Sequence, residues 1–117
     1  YFFDKMKLTN TRMGFNNDIY QLVEGDVEKS IPIYLKENPG FRISYLYLDL
    51  DIDKPTYISL NLLYDRIVRG GIIVFDEYAC DKWTESDAVD KFLKEHPDLC
   101  IKTLLWGRTP TAYIIKK

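Results

Sequence analysis

The residues with the clearest capacity for chemistry are acids spaced two apart. In the run Ile43–Asp53, ISYLYLDLDID, an apolar stretch ends in Asp49, Asp51 and Asp53. A strand turns successive side chains to opposite faces, so a continuous extended backbone would send all three carboxylates to one side. A second acidic pair, Asp76–Glu77, ends the strand-like run GIIVFDE. Two neighbouring strands that finish in acids point to a metal site or to a mouth that repels anions.

Positioning these acids falls to strands alternating with helices. Ile19–Glu24 (IYQLVE) reads as a short strand closed by Gly25–Asp26. Val27–Asn38 reads as a helix with Ile31, Tyr34 and Leu35 on one face, ended by Pro39–Gly40. Pro32 requires its main part to begin near Ser30, because a proline deeper inside breaks the hydrogen-bond ladder. Ile43–Leu50 is the acid-bearing strand. In Pro55–Val68, Leu60, Leu63, Tyr64 and Ile67 recur at helical spacing, and Gly70–Gly71 is expected to stop that helix. Ile72–Asp76 is a short apolar strand of the kind found in the middle of parallel sheets.

Tyr78–Trp83 reads as loop. Thr84 with Asp87 makes a capping-box signature for a helix over Glu85–His96, which buries Ala88, Val89, Phe92 and Leu93. Leu99–Trp106 and Thr111–Ile115 are β-rich and close enough for an antiparallel hairpin, with Trp106 and Tyr113 as core residues. Tyr1–Asn17 has no clean period, although Phe2, Phe3, Met6 and Leu8 could form an apolar helical stripe.

This order defines an α/β domain spanning residues 1–117, with a mainly parallel sheet, helices on both faces and a closing antiparallel hairpin. Ligands of such sheets bind beyond the carboxyl ends of the strands. Gly25–Asp26, Asp49–Asp53 and Asp76–Tyr78 all fall at that edge.

Composition excludes several classes. The chain has 117 residues, 46% hydrophobic and 15% aromatic, enough for one core. A formal net charge of −2 and scattered basic residues give no case for nucleic acid or a membrane surface as partner. No apolar run approaches the roughly 20 residues needed to cross a bilayer. Cys80 and Cys100 lack a CxxC spacing, so two reduced thiols in a cytoplasmic protein are expected. The opening YFFDKM suggests a processed piece or a longer protein.

The block LYLDLDID…GGIIVFDEY, followed by WTESDAVDKFL, resembles the macrocin O-methyltransferase-like group of class I S-adenosylmethionine-dependent methyltransferases. The resemblance runs from about Tyr20 to the C-terminus. It implies a three-layer Rossmann-like fold whose last strand inserts antiparallel. By the same resemblance Asp49, Asp76 and Glu77 hold Mg²⁺, a hard cation suited to carboxylates. Asp51 supports the site or acts as general base, so Asp49 and Asp51 are the catalytic candidates. Gly25–Asp26 matches the turn beside the cofactor adenine. The acceptor is then a small molecule, such as a saccharide, with neighbouring hydroxyls.

The sequence departs from the family pattern in places. Tyr47 stands where the family has His, Asp53 where it has Tyr, and Glu77 where it has Asp. No G-x-G-x-G loop occurs. Ile19–Glu24 would be the third strand of the full fold, which makes this chain its C-terminal part, lacking the first two strands. Weak or no binding of S-adenosylmethionine by the chain alone is expected, as is an unpaired edge on Ile43–Leu50 that favours a homodimer or a rearranged edge.

Plainer readings stand beside these. Asp53 suits a helix cap, and Asp26 suits a cap as well as a cofactor contact. Tyr78 and Trp83 could line an acceptor pocket or only pack. His96 precedes Pro97 in a last helical turn, where a cation favours the helix dipole. A non-catalytic α/β dimerisation or partner-binding module is the competing function. A receiver-like phosphoacceptor domain fits less well, because its acids and lysine come in another order.

Overall fold

The computed structural model describes residues 20–104 and 108–117. The expectations for Tyr1–Asn17, Ile19 and Trp106 fall outside them. The elements in chain order are α1 (Val27–Glu37), β1 (Ile43–Leu48), α2 (Asp53–Leu63), a 3₁₀ turn (Tyr64–Arg66), β2 (Ile67–Phe75), α3 (Glu85–Glu95), β3 (Ile101–Thr103) and β4 (Ala112–Ile115). They build one mixed four-stranded sheet in the order β1-β2-β4-β3.

β1 pairs parallel with β2, whereas β4 runs antiparallel to both β2 and β3. The last strand therefore inserts against the grain between two strands that share a direction, as expected of the closing hairpin. Nothing among the described residues pairs with the outer side of β1.

One face of the sheet carries the core. Leu48, Ile73, Phe75, Ala112 and Ile114 form a buried cluster with Leu60 of α2 and with Val89 and Phe92 of α3. α1 packs beside α2, and α2 beside α3. Helices on both faces were expected, but the described helices form a single layer. The connections from β1 to β2 and from β2 to β3 advance across the sheet in one direction, and right-handed crossovers of that kind share a face. The opposite face, which includes Tyr45 and Tyr47, is partly open.

Further expectations are corrected. Residues 20–24 are not a strand; they run irregularly into the N-terminus of α1. α1 starts at Val27, as its expected span has it, but it is helical from there through Pro32, so the condition that its main part begin near Ser30 does not hold. Asp26 makes this start possible, because its carboxylate accepts from the Glu28 N–H at 2.8 Å and its carbonyl from Ser30 N–H. Pro32 is exposed, so solvent can serve the carbonyl that its missing N–H leaves.

The helix expected to reach Val68 stops at Leu63, and the chain tightens through the 3₁₀ turn into β2. Ile67 and Val68 are β-branched and pair or pack better on a strand. Gly70–Gly71 then lies inside β2. Two steps along β1, from Ile43 to Tyr45, match five along β2, from Ile67 to Ile72, so β2 bulges there. Gly70 takes a φ of +78° in that bulge. A Cβ on Gly71 would lie 2.7 Å from Ile67 Cγ2 and 2.8 Å from Val68 O, which excludes larger residues.

α3 follows the expected stripe, burying Ala88, Val89 and Phe92. Its capping box does not form: Thr84 makes no side-chain cap hydrogen bond. Of the hairpin residues expected in the core, Tyr113 is only half-buried, and Ala112 and Ile114 take that place. His96 caps α3 and stacks on Phe92 at 4.0 Å between centroids. Both cysteines are free.

Candidate functional site

The strand carrying the first acids ends at Leu48, earlier than expected, and the backbone then reverses. Asp51 sits at the corner with a φ of +61°, while Ile52 N–H donates to Leu50 O at 2.7 Å. A left-handed conformation costs most residues about 1 kcal/mol and aspartate somewhat less, so the turn suits Asp51. Alternation is lost there. Asp49, Asp51 and Asp53 do not share one face, and Asp53 opens the first turn of α2 instead of capping it, with Ile52 at the cap position.

The second acidic turn follows β2. Asp76 N–H donates to Leu48 O at 3.0 Å, which extends the β1–β2 pairing to the first acid of the pair and brings Asp76 near Asp49. The turn closes with Cys80 N–H donating to Glu77 O at 3.1 Å, around Ala79 at a φ of +63°. The Tyr78 hydroxyl donates to Asp90 at 2.8 Å, so it is engaged with α3.

Electrostatics tie the two turns together. Local desolvation first, then the carboxylates of Asp76, Asp51 and Glu77, hold the Asp49 carboxyl above its ordinary value. The Tyr47 hydroxyl donates to Asp76 Oδ1. That hydrogen bond is the main cause that pushes the Tyr47 phenol up to about 12, with desolvation and the Asp76 and Asp49 charges adding to it. Tyr47 is thus a hydrogen-bond donor to the first acid of the Asp76–Glu77 pair.

One acid of the site was not anticipated. Glu85, the first residue of α3, is fully buried. Its Oε2 accepts from the Glu77 N–H at 2.7 Å, while Oε1 has no partner among the described residues. Burial pushes its carboxyl up to about 7; the Glu77 hydrogen bond opposes this, and Asp76, Asp51 and Asp49 reinforce it. A signal for Glu85 existed. It lies three and four residues before Ala88 and Val89, on the stripe that α3 buries.

The expected ligand set is near in charge but not assembled. Among the described residues no three His, Cys, Asp or Glu side chains are arranged to hold a metal ion. The charges of Asp76, Asp51 and Asp49 all act on the buried Glu85 carboxyl, and carboxylates are donors of the type that hard cations take.

Gly25 and Asp26 lie elsewhere. Gly25 has a φ of +125°, and Asp26 is spent on capping α1. Gly25 helps line a largely apolar cavity of about 320 Å³ between α1 and the β1 edge, with Val23, Val27, Tyr34, Phe41 and Tyr45. None of the acids from Asp49 to Glu85 lines it.

Residues 4–99 match the model of the macrocin-O-methyltransferase (TylF) family. The chain belongs to that family. Among solved structures, it is similar to the apo form of CalS11, described as a TDP-rhamnose 3'-O-methyltransferase of calicheamicin biosynthesis. The identity is 38% and the TM-score 0.70, over 81% of this chain and 40% of that one. A second CalS11 structure gives the same identity and TM-score over 36% of its chain. The O-methyltransferase NovP shares the fold at 23% identity and a TM-score of 0.64, again over 81% of this chain and 36% of that one. The chain therefore spans well under half the length of these relatives. No curated protein matches. No helix among the described residues is long and apolar enough to cross a membrane.

Proposed function

We propose that this chain forms the C-terminal part of a metal-dependent, S-adenosylmethionine-dependent O-methyltransferase acting on a sugar or another small molecule with neighbouring hydroxyls. The observation that carries the reading is the meeting of the Asp49 and Asp76 turns at the carboxyl ends of β1 and β2, in a chain of the macrocin-O-methyltransferase family. CalS11, described as acting on TDP-rhamnose, supports a saccharide acceptor.

The reaction asks little covalent help from the protein. S-adenosylmethionine would supply an electrophilic methyl group, and the acceptor hydroxyl that receives it must give up its proton. Asp51, held at the corner of its turn, is the candidate base, and Asp49 beside it orients the hydroxyl. Tyr47 fixes the Asp76 carboxylate by donating to it. Asp49, Asp76 and Glu77 would hold Mg²⁺, which supplies positive charge that lowers the pKa of a bound hydroxyl. The cavity beside Gly25 is apolar and of a size to accept a flat base, which supports the placement of the cofactor adenine there. The free thiols Cys80 and Cys100 support a reducing, cytoplasmic setting.

Calorimetric titration of Mg²⁺ into wild type, Asp49→Asn and Asp76→Asn tests the metal assignment. Binding by wild type that both variants lose is expected, and equal, negligible heats in all three would remove it. S-adenosylmethionine is expected to bind this chain weakly, and micromolar binding would remove its assignment as an incomplete cofactor site. Methyl transfer from labelled S-adenosylmethionine to a nucleotide-sugar panel by the full-length protein tests the acceptor class.

The outer edge of β1 favours a second reading, in which this fold serves homodimerisation. Tyr45 on that strand is 58% exposed, and an exposed apolar edge invites pairing. Light scattering at twice the chain mass would support it, and a monomer at all concentrations would oppose it.

A further inference from the structure

The start of α3 touches both acid-bearing turns at once. Thr84 meets the first turn: its N–H donates to Asp51 O at 3.1 Å, and its Oγ1 accepts from the Asp53 N–H at 2.9 Å. Glu85 and Ser86 meet the second. Glu85 Oε2 accepts from Glu77 N–H and Ser86 Oγ from Ala79 N–H, both at 2.7 Å. Three consecutive residues thus join the chain that follows β1 to the chain that follows β2.

Glu85 differs from its two neighbours in being fully buried with an oxygen left unpartnered. Stability alone is a poor reason for a carboxyl there. The position belongs to the apolar stripe of α3, where an aliphatic side chain of similar size packs without desolvating a charge. The carboxyl instead supplies an acceptor that the Glu77 amide would otherwise lack.

We propose that Glu85 is a positioning residue of the acidic site: through the Glu77 amide it holds the Asp76–Glu77 turn in place against the Asp49–Asp51 turn. It acts through backbone rather than through substrate. The cost of an acid in the core is the consequence of keeping two turns aligned, a trade of stability for site geometry. This inference rests on the reading of these acids as the methyl-transfer site, and its test separates the two.

The test uses the ¹⁵N-labelled chain as wild type, Glu85→Gln and Glu85→Leu. Gln keeps an acceptor for the Glu77 amide; Leu removes it. Amide exchange at Glu77 should stay within roughly threefold of wild type in Glu85→Gln and quicken at least about tenfold in Glu85→Leu, while the Leu variant melts no lower than wild type. Titration with Mn²⁺ alone should show roughly tenfold weaker binding in Glu85→Leu than in wild type. Unchanged Glu77 exchange in Glu85→Leu overturns the proposal. So does a Leu variant that melts lower and exchanges faster throughout, because that describes a purely structural residue. If none of the three proteins binds Mn²⁺, the metal assignment fails by itself. Selective loss of Glu77 protection then still supports the proposal, and uniform protection still overturns it.

Discussion

The Tyr47 hydroxyl donates to Asp76 Oδ1, joining a side chain of β1 to the first residue beyond β2. Register explains the pairing. Tyr47 lies opposite Val74, and Asp76 comes two residues later on the same face. The folded phenol, at about 12, lies above its ordinary 10.0, so the stabilising contribution is full below pH 10 and is lost as the pH rises toward 12. Tyrosine-resolved NMR titration should find one phenol ionising near pH 12 in wild type and nearer 10 in Asp76→Asn. An unchanged midpoint in that variant would falsify the pairing.

Glu85 should make stability depend on pH in the opposite range from an ordinary surface acid. Its folded carboxyl sits at about 7 against 4.5 unfolded. Below pH 4.5 both states are protonated; between 4.5 and 7 the unfolded chain loses its proton first, so stability falls as pH rises. The fall amounts to at most roughly 3 kcal/mol. Urea melts of wild type and Glu85→Gln across this interval should diverge in slope, with the Gln variant flatter. Parallel curves would assign the pH dependence to other groups.

Asp49 gains its proton too readily because of desolvation and the acids around it. Without divalent cations, Asp49→Asn should therefore melt at a higher temperature than wild type near neutral pH. Saturating Mg²⁺ should narrow or reverse that difference if Asp49 serves as a ligand, since binding to the native state adds stability only to the protein that binds. A constant difference at all Mg²⁺ concentrations would argue against Asp49 as a ligand.

The bulge in β2 makes a steric prediction. Gly71→Ala places a Cβ against Ile67 Cγ2 and the Val68 carbonyl, and the backbone atom cannot swing away. A loss of about 1–3 kcal/mol is expected. Gly40→Ala meets nothing within 4 Å and should be neutral or slightly stabilising. Differential scanning calorimetry of the pair checks this, and equal melting temperatures would show that the bulge relaxes freely.

Much of the sheet was legible from local pattern. Short apolar runs bounded by turns marked β1, the Ile72–Phe75 end of β2 and the hairpin, and helical spacing marked α3, because burial of one face leaves a period in the chain. The expectation broke down where two patterns overlapped. Leu60, Leu63, Tyr64 and Ile67 fit a helix by spacing, yet Ile67 joins the strand, since pairing with Ile43 and burial against the core outweigh one more helical turn. Ile19–Glu24 alternates like a strand, yet its described residues, 20–24, are not one, because alternation gives a face to bury and does not by itself fix a ladder.

The sequence by itself determined which acids stand at the ends of strands, since Asp49 and Asp76 follow directly from where the apolar runs of β1 and β2 stop. It also carried the family resemblance, which depends on local motifs. Only the tertiary structure decided how those acids relate. The reversal at Asp51 removed the shared face that alternation implied, the parallel register set Tyr47 against Asp76, and the packing of α3 on the sheet brought Glu85 beneath Glu77. Hydrogen bonds between residues eight to thirty-one apart leave no periodic trace in the chain. They exist because the core that the sequence specifies locally brings their parent elements together.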